Sequence, residues 1–156
     1  MMEYRTQKII GVIGQGSGCP QKILVLAEAV GKEIAKRNGI VICGGLKGVM
    51  EAVCRGAKQE DGITIGVIPG TQKSDANKFI DIPIVTGLGE ARNSIIVRTA
   101  DAVIAVGGKY GTLSEISFSL AFNKPVVGLN TWDNIAGIVY RDNPVEAVNK
   151  AFSLLS

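Results

Sequence analysis

Residues 103–115 read Val103-Ile104-Ala105-Val106-Gly107-Gly108-Lys109-Tyr110-Gly111-Thr112-Leu113-Ser114-Glu115. The apolar run Val103 to Val106 has the length and composition of a buried strand, and it breaks at Gly107-Gly108. Gly111-Thr112 then opens an amphipathic helix. A glycine-rich turn between a strand and a helix can cradle a phosphate, because backbone N–H groups point outward there and the helix dipole favours an anion. The turn ends in a carboxylate, Glu115, one turn into the helix, so the site can do more than hold a phosphate.

The same unit recurs on both sides of this stretch. Upstream, the spacing predicts strands over 8–13, 40–43, 63–68 and 80–85, with Pro83 counting against the last. Helices are predicted over 20–38, with Pro20 in the first turn and Gly39 after the end, over 49–59, and over 90–99. Residues 71–78 are polar and aperiodic and read as a loop, a candidate lid over the site. Downstream come a helix from 112 to 122, a strand over 125–129, a short edge strand over 137–140, and a helix capped by Asn143 with Pro144 in its first turn. No break resembles a domain boundary, and there is no low-complexity tract or repeat. The expectation is a single α/β domain over 1–156: a Rossmann-like, doubly wound, mostly parallel sheet of six or seven strands with helices on both faces. The clusters at 14–18, 44–48, 69–70, 86–90 and 107–112 all follow strands. In such a sheet those carboxyl ends form one rim, where ligands bind.

Composition agrees. The chain is 46% hydrophobic but only 5% aromatic, so its core is built from Ile, Val, Leu and Ala, as suits a parallel sheet covered on both faces. Seventeen Lys and Arg against 14 Asp and Glu give +3 with no basic run, which suits small anions and does not argue for nucleic acid. The absence of histidine removes His-dependent triads, histidine metal sites and a histidine pH switch, and no metal site is expected. Cys19, Cys43 and Cys54 lack a zinc spacing and read as reduced, small core residues of a cytoplasmic protein. Met1 to Lys8 is polar, and no apolar run approaches the roughly 18 residues of a membrane span. The consecutive Ile95-Ile96-Val97 is more apolar than one core face requires, which predicts a homo-oligomer, a dimer or tetramer.

Two common nucleotide motifs are missing. Gly14-Gln15-Gly16-Ser17-Gly18 has the wrong final spacing for a dinucleotide fingerprint, and strand two ends in Cys43-Gly44-Gly45 without the ribose-binding carboxylate. Neither Lys47 nor Lys109 is followed by Ser or Thr at P-loop spacing. The candidate phosphate and ligand contacts are Gly14, Gly16, Ser17, Gly18, Gly44, Gly45, Lys47, Gly107, Gly108, Lys109, Gly111 and Thr112. Arg92 and Glu115 form the acidic-basic pair, provided strands four and five are neighbours. Arg92 can hold a phosphate or carboxylate bidentately. Glu115 can bind ribose hydroxyls, stabilise an oxocarbenium ion or orient water. Plainer alternatives stand beside these. Thr112 and Glu115 can be a capping box, Arg92 a surface partner of Glu90, Lys47 and Lys109 solvated charges, and Gly44-Gly45 a tight turn.

Gly-Gly-Lys-Tyr-Gly-Thr-Leu-Ser-Glu resembles the Pro-Gly-Gly-x-Gly-Thr-x-x-Glu motif of the LOG family, cytokinin-activating phosphoribohydrolases often mislabelled lysine decarboxylases. Gly89-Glu90-Ala91-Arg92-Asn93 matches its Arg-Lys segment, and Cys43 to Met50 its Gly-Gly-Gly-x-x-Gly-Leu-Met segment. The chain's length and the run Gly-Glu-Ala-Arg-Asn resemble the molybdenum-cofactor carrier-like branch. The resemblance implies that Arg92 and Glu115 are the catalytic pair if the protein is an enzyme, with Gly107, Gly108, Gly111 and Thr112 around a phosphate. Gly107 replaces a proline, Lys109 a glycine and Asn93 a lysine, departures that keep an anion site but count against hydrolysis. The first expectation is a binder of a phosphorylated nucleotide-type ligand, carrier-like, whose ligand is a nucleotide monophosphate or a molybdopterin-type cofactor and which requires no cofactor of its own. The alternatives are hydrolysis of nucleoside 5′-monophosphates to base and ribose 5-phosphate, and a nucleotide sensor. Lysine decarboxylation is not expected.

Overall fold

Strands whose side chains must be apolar on both faces can only lie in the middle of a covered sheet, and that is where the β-branched runs fall. In the computed structural model, which describes residues 6–156, seven strands form one sheet: β1 (Ile9–Gly14), β2 (Ile40–Cys43), β3 (Ile63–Ile68), β4 (Ile82–Val85), β5 (Ala102–Val106), β6 (Val126–Leu129) and β7 (Ile138–Arg141). Their order is β4-β3-β2-β1-β5-β6-β7, and every pairing is parallel. The reading of Met1 to Lys8 as a polar start lies largely outside the described residues. No helix among these residues is long and apolar enough to cross a membrane.

β2, β5 and β6 are buried at every position, whereas β4 at one edge is mostly exposed. Pro83 is accommodated because β4 is that edge; it lies opposite Gly66 of β3. The strand begins at Ile82, two residues later than expected, because Asp81 turns back on β3. Its N–H donates to Thr64 Oγ1 at 2.9 Å, and its carboxylate accepts from Thr64 N and from Lys58 Nζ at 2.8 Å. These bonds hold the Asp81 carboxyl below its ordinary value, against the opposing effect of partial burial.

Side chains alternate across the sheet, and so do the helices. α1 (Gln21–Lys36), α2 (Val49–Gln59) and α5 (Pro144–Ser153) cover one face with Val12, Val41, Ile104 and Val106 beneath them. α3 (Asn93–Thr99) and α4 (Tyr110–Ala121) cover the other, over Ile13, Ile42, Val103 and Ala105. The division follows from right-handed crossovers: the chain runs outward from β1 to β4, returns, and runs outward again from β5. Of the three consecutive apolar residues on α3, Ile96 and Val97 are buried within this chain and Ile95 is half-buried. Most of the apolar excess that suggested an oligomer is therefore absorbed by the protein's own core. Cys43 and Cys54 are buried free thiols with Sγ atoms 3.6 Å apart, and Cys19 is a half-buried free thiol.

Helix ends differ from expectation where a residue other than glycine takes the left-handed turn. Pro20 precedes α1 as its N-cap rather than lying inside it, and Asn38 (φ 58°) ends the helix, one residue before Gly39. The predicted helix over 90–99 begins as a 3-10 turn, Gly89–Arg92, and becomes α-helical only at Asn93. Asn143 caps α5 as expected, its Oδ1 accepting from Glu146 N at 2.9 Å.

Candidate functional site

The sheet order changes direction between β1 and β5, and a crevice opens at their carboxyl ends, as it does at such switch points in doubly wound sheets. It forms a cavity of about 290 Å³. One wall is the end of β1 and its turn (Gly14, Gln15, Gly16), a second is Gly44, Leu46 and Met50, a third is Glu90, Arg92 and Asn93, and the fourth is Lys109, Gly111, Thr112 and Glu115. The volume lies near the lower end of the roughly 300–1,000 Å³ usual for small-molecule sites.

The fourth wall is the start of α4. The helix begins at Tyr110, and its first helical hydrogen bond is Leu113 N to Lys109 O at 3.0 Å. The N–H groups of Tyr110, Gly111 and Thr112 therefore precede the ladder, and no side chain caps them. A Cβ placed on Gly111 would meet nothing within 4 Å. Thr112 is the third helical residue, not the cap, so the capping-box reading of Thr112 and Glu115 is overturned; Tyr110, upstream, already has helical geometry.

Arg92 is 3% exposed, so the surface-arginine reading is also overturned. Its Nε donates to Val67 O (2.9 Å), Nη2 to Gly44 O (3.4 Å), and Nη1 to Asn93 Oδ1 (2.6 Å) and to the exposed Glu90 carboxylate (3.4 Å). Gly44 leaves room for this approach: a Cβ there would lie 2.7 Å from both Arg92 Nη2 and Met50 Sδ, and those side chains would have to shift. The condition that β4 and β5 be neighbours is not met; three strands separate them. Arg92 reaches the crevice because the 3-10 turn after β4 carries it back over the ends of β3 and β2.

Glu115 faces Arg92 across the cavity, with no ion pair or side-chain hydrogen bond of its own among the described residues. Burial pushes its carboxyl up from an ordinary 4.5 to about 7; Arg92 opposes the rise and Glu90 adds to it. Near neutrality it is an acid as often as a carboxylate.

Other sequence candidates lie elsewhere. Gly107 (φ 60°) and Gly108 (φ 105°) shape the turn without lining the cavity; a Cβ on Gly108 would strike Thr112. Gly45 packs against Gly66, and Ser17 and Gly18 sit outside the crevice. Lys47 is exposed and pairs with Glu51 at 3.2 Å. None of residues 71–78 lines the cavity; Asn77 fastens that loop by donating to Leu46 O (2.8 Å) and, through its N–H, to Gly45 O (2.8 Å). The loop is thus pinned beside the crevice rather than placed over it. Gln15, Leu46 and Met50 were not singled out in the sequence as contacts. The glycine turn flanking Gln15 is a usable signal, whereas Met50, an apolar residue at helical spacing, carries none that separates a cavity wall from the core.

A family model described as SLOG cluster4 matches residues 7–152. The chain belongs to this family. It is 32% identical to a cytokinin riboside 5′-monophosphate phosphoribohydrolase of Mycobacterium tuberculosis, over 75% of this chain and 67% of that protein. The structure superposes on a molybdenum cofactor binding protein from Rippkaea orientalis with a TM-score of 0.91 and 35% identity, covering 96% of this chain and 98% of that one. The molybdenum cofactor carrier protein of Chlamydomonas reinhardtii gives 0.87 at 35% identity, with the same coverage. The resemblance to the LOG superfamily and to its carrier-like branch therefore holds, as does the Rossmann-like fold.

Proposed function

We propose that this SLOG cluster4 protein binds a phosphorylated nucleotide-type ligand in the β1–β5 crevice and holds it without cleaving it, as a molybdenum-cofactor carrier-like protein. The observation that carries this reading is the pairing of an uncapped α4 start with a carboxyl that burial holds near neutral. The free N–H groups of Tyr110, Gly111 and Thr112 suit a phosphate. In the half of the molecules where Glu115 is protonated near neutrality, it donates a hydrogen bond to an acceptor oxygen instead of stabilising a ribosyl cation. Arg92 supports the same division of labour: its guanidinium is spread over Val67 O, Gly44 O and Asn93, so it fixes the wall and supplies a buried positive charge rather than a free bidentate clamp. The similarity to proteins described as molybdenum cofactor binding and carrier proteins points the same way, and a molybdopterin-type compound would be cargo here.

The second reading is phosphoribohydrolase activity. It is favoured by the M. tuberculosis relative and by the Arg92–Glu115 opposition across the crevice. Incubation with AMP and related monophosphates separates the two. Tight binding with no free base supports the carrier. Base release that disappears in Glu115→Ala supports the enzyme. Failure of every phosphorylated nucleotide and pterin to bind overturns both.

We also infer a homo-oligomer. Glu115 is the only charged residue of α4 and lines the cavity, so the helix's exposed positions Ser114, Ser117, Phe118 and Ala121 carry no charge. A monomer in solution scattering at micromolar concentration would overturn this.

A further inference from the structure

Side chains on a helix lean toward its N-terminus and cover the preceding turn. Glu115, whose carboxyl opens onto the cavity, therefore leans over Gly111 and Thr112, the residues whose N–H groups are free. A phosphate seated at the start of α4 and the Glu115 carboxyl then share one small volume. Two negative charges that close in a buried site are not both retained; one group takes a proton. The phosphate has three N–H donors and the helix dipole to hold its charge. Glu115 has no protein donor among the described residues, and the cation facing it, Arg92, directs four of its five N–H groups to Val67, Gly44, Asn93 and Glu90.

We propose that loading of the anionic ligand is coupled to uptake of one proton by Glu115, which then donates a hydrogen bond to the bound phosphate. The inference rests on the ligand reading above and adds to it a selectivity: the site takes a ligand that presents an acceptor oxygen at this position. The proton comes from solvent and returns there on release, and no covalent bond changes. The charged and titratable groups around Glu115 are Arg92 and Glu90 on the 3-10 turn, Lys109 before α4, and the Cys43 thiol at the end of β2. Lys47 lies outside this set, paired with Glu51. Arg92 is buried, and Glu90 is 83% exposed at its side chain. The Cys43 thiol, 3.6 Å from Cys54, is held below its ordinary value by that neighbour and does not line the cavity. Glu115 is thus the acid that leans over the start of α4, where the ligand's charge would sit.

The test is calorimetric titration of the full chain with AMP between pH 6 and 8.5, each pH in two buffers of different ionisation heat, with Glu115→Gln alongside. Glutamine keeps the shape and a donor but cannot titrate. The expected result is uptake of close to one proton per AMP at pH 8, with affinity falling about tenfold between pH 7 and pH 8.5. Glu115→Gln takes up no proton above pH 7, where AMP is already mostly a dianion, binds equally from pH 7 to pH 8.5, and at pH 8.5 binds about tenfold more tightly than the parent. AMP binding without proton uptake in the parent, or uptake that persists in Glu115→Gln, overturns the proposal while leaving the ligand reading intact. Absence of binding of both AMP and inorganic phosphate to both proteins at every pH overturns the ligand reading and the proton coupling together. A single cooperative thermal transition of Glu115→Gln, no lower than the parent's, establishes that the variant is folded.

Discussion

The starts of α2 and α4 look alike in sequence, a glycine-rich turn after an apolar strand in each case, yet the structure uses them in opposite ways. At α2 the turn is closed by the protein. Gly48 is the N-cap at φ 67°, Val49 N donates to Gln15 O at 2.9 Å, and a Cβ on Gly48 would fall 2.1 Å from Gly16 O. At α4 the turn is held through its carbonyls, with Thr131 Oγ1 donating to Gly107 O and Trp132 Nε1 to Lys109 O, while its first N–H groups have no cap among the described residues and Gly111 faces open space. Glycine in the first turn marks contact of backbone with backbone; in the second it marks room for something else. A glycine-rich turn is therefore an anion site only when its N–H groups are left unspent.

The sharpest way to break this contrast is Gly48→Ala. The left-handed backbone and the clash with Gly16 O together should cost about 3 kcal/mol or more in chemical denaturation. A loss under about 1 kcal/mol would mean that the α2 turn is as open as its counterpart.

Glu115, at the open turn, supplies the next effect. Its carboxyl is raised from 4.5 to about 7, so the folded chain keeps a proton that the unfolded chain loses. The associated stability is complete below pH 4.5 and declines as pH rises to about 7, a span of about 3 kcal/mol in the absence of ligand. Comparing unfolding free energies of the parent and Glu115→Gln across that window isolates it. Parallel curves would contradict an acid buried at the start of α4.

Gly111→Ala should move stability and binding in opposite directions. Alanine fits the helical backbone and open space there, which favours the folded state by about 0.5–1 kcal/mol. The same methyl group obstructs approach to the free N–H groups, and AMP affinity should fall about tenfold, as for loss of a charged hydrogen bond of about 1.5 kcal/mol. A binding loss accompanied by lower stability would place Gly111 with Gly48, as a packing residue.

The smallest effects come from the two lysines. Lys109 lines the cavity, and Lys109→Ala should weaken AMP binding by up to about fivefold, within the range of exposed charge pairs. Lys47→Ala should leave affinity unchanged and stability within about 0.5 kcal/mol, because Lys47 sits on an exposed ion pair of α2. Equal losses from both would erase the distinction between the turns.

The sequence was most legible where local chemistry and tertiary context agree. β2, β3 and α2 have the boundaries read from their β-branched runs and helical spacing, because burial and flanking glycine act over the same few residues. The rim shared by Arg92 and Glu115 was also legible, since a parallel sheet puts all such loops at one end. Strand order was not: Pro83 marks β4 as a strand suited to an edge, but nothing in the sequence says that β3, β2 and β1 lie between it and β5, so the expected neighbourhood of β4 and β5 failed while the meeting of their loops held. The Thr112 capping box satisfied its short pattern, but packing begins α4 at Tyr110, before that pattern applies. Arg92's burial depends on Gly44, a residue 48 positions away, and on the carbonyl of Val67. Lys47 and Lys109 look equivalent in their turns, and only the fold turns one toward the crevice.

α1 and α2 cross with backbone against backbone. A Cβ on Gly31 would lie 1.9 Å from Val53 O, and one on Gly56 would lie 1.9 Å from Glu28 O. Two helices keyed together at two points behave as a single plate, and the turns that feed them, at Gly14–Gly16 and Gly44–Gly48, inherit its stiffness. The crevice is thereby a vice with one fixed jaw. The opposite side of the crevice, the 3-10 turn carrying Arg92 and the start of α4 carrying Glu115, has no such helix-to-helix lock among the described residues, so substitutions meant to change how a guest is held belong there rather than on the glycine-locked pair.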